Sequence, residues 1–276
     1  MADTMAPVLW DSVRFPRATR RIGQRIWHYE SVPSTMPLAH RLAADGAPDG
    51  TVLLAEEQTA GRGRRGRVWV APRGTAILCS LICRPPLRPE DLFLLTAAVS
   101  VGLCVGVERA TGLRPRVKWP NDLLLDGRKL AGILAESRIG VAGVAYVVVG
   151  FGLNVNVAAV DLPQVPGAVP ATSLALAQGG AIDRLVLLRA VLEEIDGAYD
   201  LLWQGESERL RAAWQERLAG IGERIRIETA NGPLLGRCCG VASDGALLLD
   251  TGERVERILV GDVLLGPRPT VRESDG

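Results

Sequence analysis

A glycine- and arginine-rich stretch, "EQTAGRGRRGRVW" at residues 57–69, most strongly limits the folds open to this chain of 276 residues. It contains Gly61, Gly63 and Gly66 in the spacing G-x-G-x-x-G. In a dinucleotide-binding fold, this fingerprint opens a helix whose N-terminus holds a pyrophosphate. Here the next residues are "RVWVAPRG", whose β-branched, aromatic and proline residues favour a strand and break a helix. The sequence therefore excludes a dinucleotide-binding domain at this position.

The same letters match the glycine-rich loop of protein kinases, but the other kinase motifs are missing from the sequence. The remaining interpretation depends on the chemistry of the glycines and arginines themselves. Glycines let a backbone approach a ligand closely, and Arg62, Arg64, Arg65 and Arg67 offer bidentate donors to carboxylate or phosphate. The loop is predicted to hold a small dianion or two anions together. A solvated basic turn is the alternative interpretation of this stretch.

The overall charge argues against a long polyanionic partner. Lys plus Arg is 32 and Asp plus Glu is 31, which gives a net charge of +1. Such a balance provides no field for sequence-independent binding to nucleic acid or to an anionic membrane. With 47% hydrophobic residues, the chain is expected to be globular and long enough for one large domain and a small one.

The cysteines indicate a reducing compartment. There are five, an odd number, with no Cys-x-x-Cys pair, and both histidines lie far from any cysteine pair. We therefore expect buried free thiols, no zinc site and a cytoplasmic location. The first residues lack an apolar signal sequence, and the apolar run at 94–107 is too short to span a membrane, so it predicts a buried helix.

Helix and strand patterns are mixed along the chain rather than strictly alternating, which favours an α+β fold. Residues 1–24 look like a loose lead-in, and 158–171 like a mobile surface loop. An Asp126-Gly127 turn predicts a hairpin within 116–137. Strands are predicted at 25–32, 51–59, 75–84 and 143–157, and helices at 37–46, 89–112 and across 182–219.

The sequence changes character near residue 220. Short strand-like runs follow, separated by Asn231-Gly232, Asp244-Gly245 and Thr251-Gly252. Turn signals at this spacing predict a small antiparallel barrel.

A second polar group stands in "KWPNDLLLDGRKLAGI", where Lys118, Asn121, Asp122 and Lys129 interrupt an apolar pattern. Charges in such surroundings cost free energy unless they are paired or used. A carboxylate beside an amide suits Mg²⁺, which takes oxygen ligands and substrate phosphates. An exposed hairpin with ordinary charges is the alternative. In "GFGLNVN", the amides at the end of a buried strand are expected to need partners.

The blocks "SVPSTM", "AEEQTAGRGRRGRVW", "KWPNDLLLDGRKLAGILAE", "GFGLNVN" and "TSL" together resemble the biotin protein ligase family, in its monofunctional form without an N-terminal DNA-binding domain. The resemblance covers roughly residues 25–266. It implies a mixed-sheet catalytic domain of the class II synthetase-like type at 25–220 and a small SH3-like barrel at 221–267. The lead-in at 1–24 and a tail at 268–276 complete the division of the chain.

The resemblance also implies a reaction in two steps. Biotin and ATP, with Mg²⁺, give biotinyl-5′-adenylate and pyrophosphate. Biotin then passes to a specific lysine of a biotin carboxyl carrier protein domain of acetyl-CoA carboxylase or a related carboxylase. A homodimer is plausible by the same resemblance.

The resemblance also implies roles for the residues of this chain that match the family's motifs. Lys129, Arg64 and Lys118 are implied to be catalytic, and residues 156–170 would order over the adenylate. Biotin contacts are implied for Ser34, Thr35, Met36, Gln58, Gly61, Arg62, Gly63, Arg64, Lys129 and Gly132. ATP contacts are implied for Arg62, Arg64, Arg67, Lys118, Asn121, Asp122 and Asn154, with Asp122 also holding the metal. Outside this set, Trp69, Trp119 and Trp214 are expected to be packing residues, and His28 and His40 structural or solvated.

Two departures from the family pattern matter. Met36 stands where the family usually has Asn, so any role of that amide is lost. Only some thirty residues precede the ligase blocks, and we expect no operator binding. Two other functions remain open. One is a lipoate or octanoate ligase or transferase of the same fold. The other is a nucleic-acid-binding module that uses the Arg-Gly loop, although the aromatic content of 4% is low for such modules.

Overall fold

An eight-stranded mixed sheet lies at the centre of the larger unit in the computed structural model, which describes residues 7–10, 18–141, 143–165, 168–230 and 232–264. The strands of this unit are Val8–Trp10 (β1), Ile26–Tyr29 (β2), Thr51–Ala55 (β3), Gly61–Arg62 (β4), Val68–Trp69 (β5), Ala76–Cys83 (β6), Arg116–Lys118 (β7), Asp122–Leu125 (β8), Arg128–Gly140 (β9) and Gly143–Asn154 (β10). The spatial order is β1-β2-β3-β6-β10-β9-β8-β7, and β4 and β5 form a separate two-stranded ribbon. Among the described residues, the β2–β3 pair is the only parallel pair of this sheet, so the predicted α+β class with a mixed sheet is confirmed.

Helices cover both faces of the sheet. They are Thr35–Ala44 (α1), Phe93–Thr111 (α2), Leu174–Gln178 (α3), Arg184–Trp203 (α4) and Ser207–Glu216 (α5). Helix α1 packs with one apolar cluster, while α2 and α4 belong to a larger one. Strands β3 and β6 are buried along their whole length, because side chains on both of their faces meet a helix layer or the core. This explains their continuous apolar runs.

Helix α2 is the buried helix expected around 94–107. Its length and composition alone would allow it to cross a membrane, but two thirds of the apolar window (67%) is buried inside the protein. Gly102 and Gly106 let it approach α4 closely. A Cβ at Gly102 would lie 2.5 Å from the Cα of Ile195. The helix is therefore packed as a core element.

The predicted hairpin is present, but its first strand is interrupted by an additional turn. Asp126 (φ 50°) and Gly127 (φ 76°) take positive φ values between β8 and β9, as a tight hairpin turn requires. A second turn at Trp119–Pro120, with a cis peptide bond, divides the first predicted strand into β7 and β8. This turn brings Lys118 and Asp122 opposite each other on neighbouring strands.

The small C-terminal unit is antiparallel, as predicted, but its sheet does not close into a barrel among the described residues. Its strands are Arg224–Thr229 (β11), Gly232–Val241 (β12), Leu247–Asp250 (β13), Val255–Ile258 (β14) and Asp262–Leu264 (β15), in the order β14-β13-β12-β11-β15. Strand β15 has three residues and pairs with β11, and no pairing of β15 with β14 closes the sheet within the described residues. The predicted turns at Asp244-Gly245 and Thr251-Gly252 join its strands, whereas Asn231 and the tail at 268–276 lie outside the described residues.

The described part of residues 1–24 is packed, which contradicts the expected loose lead-in. The backbone N–H groups of Arg20, Arg21 and Ile22 all donate to the buried carboxylate of Asp196 on α4, at 2.7 to 2.8 Å. Because one carboxylate binds three successive N–H groups, this short segment is fastened to α4. Strand β1 extends the sheet beside β2.

A partly buried ionic cluster joins the sheet to the start of α4. His28 Nε2 donates to Glu56 Oε1 at 2.9 Å, and Arg184 donates to Glu56 Oε2 at 2.5 Å. The second terminal nitrogen of the Arg184 guanidinium donates to the carbonyl of Ala76, at the start of β6. The hydrogen bond from His28, together with Arg184, lowers the pKa of Glu56 to about 2. The expectation that His28 is structural agrees with this position.

Replacing Glu56 by Gln is expected to lower the free energy of unfolding by about 2 kcal/mol at pH 7. A carboxyl whose pKa is lowered by folding stabilises the protein above its unfolded pKa, and this contribution disappears as the pH falls toward 2. Urea unfolding between pH 5 and about pH 2 should therefore show a weaker pH dependence in the variant. Glu253→Gln, on an exposed turn, is the control. Equal pH slopes for Glu56→Gln and the unmodified protein would contradict the assignment.

Candidate active site

A cavity of about 810 Å³ lies between the central sheet, the β4–β5 ribbon, the 158–171 segment and the C-terminal sheet. It brings together almost every residue that the sequence singled out. The predicted residues in its wall are Ser34, Thr35, Met36, Gln58, Arg62, Gly63, Arg64, Arg67, Lys118, Asn121, Asp122, Lys129, Gly132 and Asn154. Gly61 is not in the wall. It pairs with Trp69 in the ribbon, where a Cβ would lie 2.4 Å from the Trp69 carbonyl oxygen.

One end of the cavity carries neutral hydrogen-bonding groups. Gln58 Oε1 accepts from the backbone N–H of Thr35 at 2.8 Å, which leaves the Gln58 Nε2 group for a ligand. The Thr35 hydroxyl lies 2.7 Å from that of Ser80, a fully buried residue on β6. The Ser34 hydroxyl is buried and has no hydrogen-bond partner among the described residues. This end can therefore bind a neutral polar group through both donors and acceptors.

Met36 contributes an apolar surface beside these groups. Its side chain is 4% exposed and packs over Gly150, where a Cβ would lie 2.6 Å from the Met36 sulfur. Ser34, rather than Met36, is the N-cap of α1. The thioether thus fills the position where the family usually places an amide, and the cavity wall is apolar there.

The middle of the cavity is built on glycines. Gly132 on β9 and Gly152 on β10 are directly opposite each other, and the Trp69 ring lies over both. A Cβ at Gly152 would lie 2.3 Å from Trp69 Cε2, and one at Gly132 would lie 3.2 Å from Cζ3. Because both positions lack a side chain, Trp69 can bring the arginine-bearing ribbon down onto the sheet. The expected packing role of Trp69 agrees with this contact.

The other end of the cavity is a chain of charges. Lys129 Nζ lies 2.7 Å from Asp122 Oδ1, and Lys118 Nζ lies 3.8 Å from Asp122 Oδ2. Lys118 also lies 3.7 Å from Asp262 Oδ1, and Arg67 donates to Asp262 Oδ2 at 2.8 Å. Asp262 is on β15 of the C-terminal sheet, so both units contribute to this end.

Arg64 is held in place from the sheet. Its guanidinium donates to Asn121 Oδ1 at 2.7 Å, and Asn121 Nδ2 donates to the Ile133 carbonyl at 2.7 Å. Burial, with the nearby charge of Arg65, lowers the pKa of Arg64. The neighbouring Arg65 has φ 55°, a left-handed backbone conformation. A fixed guanidinium is suited to bidentate binding of carboxylate or phosphate.

The balance of charge in the cavity favours an anion. Six cations line it, namely Arg62, Arg64, Arg65, Arg67, Lys118 and Lys129, against three carboxylates, Asp122, Glu228 and Asp262. Partial burial alone would raise the pKa of Asp262, but Lys118 and Arg67 outweigh burial and lower it. Asp262 therefore stays ionised, and the six cations still outnumber the three carboxylates of the cavity wall.

The 158–171 segment is attached to the strand that bears Lys129. The Lys129 N–H donates to the Pro170 carbonyl at 2.7 Å, and the Thr172 N–H donates to the Lys129 carbonyl at 2.8 Å. Asn154 Nδ2 donates to the Thr172 carbonyl at 3.0 Å. Asn156 does not join the site, because its amide pairs with the backbone of Ile182. Both amides in "GFGLNVN" thus have the partners that were expected.

Several other expectations can be compared with the structure. Trp119 and Trp214 are buried, as predicted, and Trp119 Nε1 donates to the Gly245 carbonyl. His40 pairs with Glu136. Four cysteines are buried, but Cys239 is exposed, because alternate residues of β12 face solvent. No group of three or more metal-ligating His, Cys, Asp or Glu side chains occurs among the described residues.

Sequence reasoning missed four groups that shape the cavity: Ser80, Gly150, Gly152 and Asp262. The two glycines had a detectable signal. They alternate in a buried strand, so they face the same side and leave space there for a ligand or another chain segment. Asp262 had no comparable local signal, because its role depends on how the C-terminal sheet docks.

Comparisons with known proteins agree with this geometry. Residues 29–154 match the model of the Biotin/lipoate A/B protein ligase family, and residues 220–266 match the Biotin protein ligase C terminal domain. The chain is 37% identical over 255 residues to the Bifunctional ligase/repressor BirA of Bacillus spizizenii, covering 92% of this chain and 78% of the relative. It is 38% identical over 232 residues to the Biotin--[acetyl-CoA-carboxylase] ligase of Mycobacterium tuberculosis, covering 80% and 82%.

A solved structure supports the same assignment. Biotin protein ligase from Aquifex aeolicus, in complex with biotin and ATP, superposes with a TM-score of 0.70 at 26% identity, over 87% of this chain and 97% of that one. The fold, the two matched regions and the identity over most of the sequence agree. This chain belongs to the biotin protein ligase family.

Proposed function

We propose that this chain forms biotinyl-5′-adenylate from biotin and ATP and then transfers the biotinyl group to a lysine of a carboxylase carrier domain. One observation supports this most directly. A single cavity has neutral hydrogen-bonding groups at one end, an apolar middle and six cations toward the other. Biotin has the same sequence of properties, with a neutral ureido ring, an aliphatic chain and a carboxylate that must meet a phosphate.

Each end has a distinct task in the first step. Ser34, Thr35 and Gln58 bind the ureido ring, and Gly132 leaves room for the chain. A biotin carboxylate oxygen attacks the α-phosphorus of ATP, the new O–P bond forms and pyrophosphate leaves. Lys129 and Arg64 stabilise the negative charge that builds up on the α-phosphate oxygens. Arg62, Arg67, Lys118, Asn121 and Asn154 bind the remaining nucleotide groups.

Within the predicted 156–170 loop, the described residues Pro163, Val165 and Val169 line this site. We propose that they exclude water from the mixed anhydride, which hydrolysis would otherwise consume. The attachment of Pro170 to Lys129 places the segment beside the reacting groups.

Magnesium fits the cavity as a partner of the substrate. The cavity offers the carboxylates of Asp122 and Asp262, each near Lys118, and Mg²⁺ usually takes one or two carboxylates together with water and phosphate oxygens. Asp122 would hold the ion, which would neutralise phosphate charge. Lys129, which pairs with Asp122 in the structure, would then be available to a phosphate oxygen of ATP.

The test is pyrophosphate release from MgATP, measured with biotin, with lipoate and with neither, before any carrier is added. Release that depends on biotin supports the proposal. Release only with lipoate would move the chain to the sister group of the fold family, and release with neither would contradict an adenylate-forming role. The carrier's identity, a homodimer, a cytoplasmic location and the absence of a nucleic-acid partner stay predictions.

Arg64→Gly is expected to increase the dissociation rate of biotinyl-5′-adenylate by about 10- to 100-fold, because a charge-assisted hydrogen bond contributes about 1.5 to 3 kcal/mol. Release of labelled adenylate in a chase experiment measures this rate. Arg25→Gly is the matched control, since Arg25 is exposed, lies in a bend before β2 and does not line the cavity. An Arg64→Gly protein with the unmodified rate would show that the Arg64 guanidinium does not retain the intermediate.

A further inference from the structure

A second cavity, of about 230 Å³, lies behind Arg64 and Asn121. These two residues, with Ile133 and Leu134, line both cavities. The Arg64–Asn121 hydrogen bond therefore belongs to a thin wall between them. None of the described residues between 158 and 171 lines the second cavity. It approaches the reacting end of the main cavity without crossing the segment that covers the adenylate.

Three aromatic rings, those of Phe93, Trp119 and Trp214, line the second cavity. Phe93 and Trp214 lie with ring centroids 6.1 Å apart, and Trp119 is fixed by its hydrogen bond to the Gly245 carbonyl. The Trp214 indole N–H is buried and unpartnered among the described residues. Aromatic faces of this kind bind alkyl chains and cations, and a free N–H can donate to a ligand.

The rim connects this cavity to solvent. Ala135 on β9 is exposed, and Leu259, between β14 and β15, is 67% exposed. Asp244 also lines the cavity, where its carboxylate pairs with Arg257. The cavity thus runs from an open surface, past an acidic and aromatic wall, to the Arg64 guanidinium.

We propose that this cavity admits the acceptor lysine of the carrier domain, so that its amine reaches the adenylate past Arg64. This inference rests on the proposed function. The aliphatic stem of a lysine would lie against the aromatic rings, and Asp244 would attract its ammonium group at the rim. A nucleotide suits the cavity poorly, since its wall holds one cation, Arg64, against six in the main cavity.

The cavity also accounts for activation of the nucleophile. Lysine attacks only as the neutral amine, and both an apolar wall and a nearby cation lower the pKa of an ammonium group. The ammonium would lose a proton to water as it passes inward toward Arg64. The neutral nitrogen then attacks the acyl carbonyl carbon, a C–N bond forms and the C–O bond to the phosphate breaks. AMP leaves as the anion, and the second amine proton passes to water.

Thr96→Trp tests this route, because Thr96 lines the second cavity but not the first. The variant should keep biotin-dependent pyrophosphate release and should react normally with hydroxylamine, a nucleophile that lacks an alkyl stem. Transfer from the preformed adenylate to a carrier domain, followed in single turnovers, should slow at least 10-fold. Ala110→Trp, which adds the same ring on the exposed face of α2, should transfer at the unmodified rate.

Other outcomes overturn the proposal. An unchanged transfer rate in Thr96→Trp would show that lysine enters elsewhere. Equal losses of pyrophosphate release and transfer would show that the cavity serves adenylation. If Thr96→Trp does not fold, Ala135→Trp at the rim gives the same comparison. Failure of the unmodified protein to release pyrophosphate with biotin would instead refute the proposed function itself.

Discussion

Lys129→Ala is expected to lower the rate of biotin-dependent pyrophosphate release by about 100- to 1,000-fold, the usual effect of removing one preorganised donor to a transition-state oxyanion. The ammonium group lies at the reacting end of the cavity, 2.7 Å from Asp122, and its side chain is 28% exposed. We expect the fold to survive, because Asp122 keeps Lys118 at 3.8 Å as a partner. Single-turnover kinetics with saturating biotin and MgATP measure the chemical step directly.

Arg128→Ala is the control for this variant, since Arg128 is the exposed neighbour on the same strand. It should release pyrophosphate at the unmodified rate. A Lys129→Ala protein that melts at the normal temperature and keeps its rate would remove Lys129 from the chemistry. A protein that has lost its fold would show that the Lys129–Asp122 pair is structural.

Gly152→Ala is expected to raise the KM for biotin by about 10- to 100-fold, because overpacking of a filled site costs about 1 to 3 kcal/mol. The added methyl group would lie 2.3 Å from the Trp69 ring, closer than any contact allows. The ring must move away, and the β4–β5 ribbon with its arginines must move with it. Biotin titrations and steady-state kinetics would report the loss.

Gly132→Ala, on the neighbouring strand β9, adds the same methyl group with a milder clash and serves as a comparison. Its methyl group would lie 3.2 Å from the same ring, so a shift of a few tenths of an ångström relieves the contact. Its effect on the KM should be clearly smaller. Equal effects, or no effect at Gly152, would contradict the view that Trp69 positions the ribbon by packing on these two glycines.

Local patterns were enough to predict much of the fold. Asp126-Gly127 needs positive φ, so the hairpin follows from two residues. The continuous apolar runs of β3 and β6 follow from burial on both faces. The antiparallel C-terminal strands follow from their turn spacing, but turn spacing does not show whether the first and last strands meet, and in the described residues they do not. The N-terminal segment was misjudged because its partner, Asp196, lies some 175 residues away along the chain.

The site residues also fall into those that local motifs predict and those that only the packing reveals. Side chains in dense motifs, such as Lys129 and Arg64, could be identified by their type and spacing. Gly152 left a signal in its strand, but its contact with Trp69 could be assigned only from the packing, and Asp262, which comes from the other unit, left no local signal. Met36 illustrates a third case. Its departure from the family pattern was visible, but its contact with Gly150 was not.

Asp262 makes the two units of the chain depend on each other through the substrate. It is the one residue of the C-terminal sheet among the described residues that forms ion pairs with both Lys118 and Arg67. If nucleotide binding changes those pairs, it also changes how firmly the sheet is docked, and thermodynamic reciprocity requires docking to change nucleotide affinity by the same factor. Nucleotide binding should then change the amide hydrogen-exchange rates of β11 and β15. These rates would show whether the site is occupied, without a measurement of turnover.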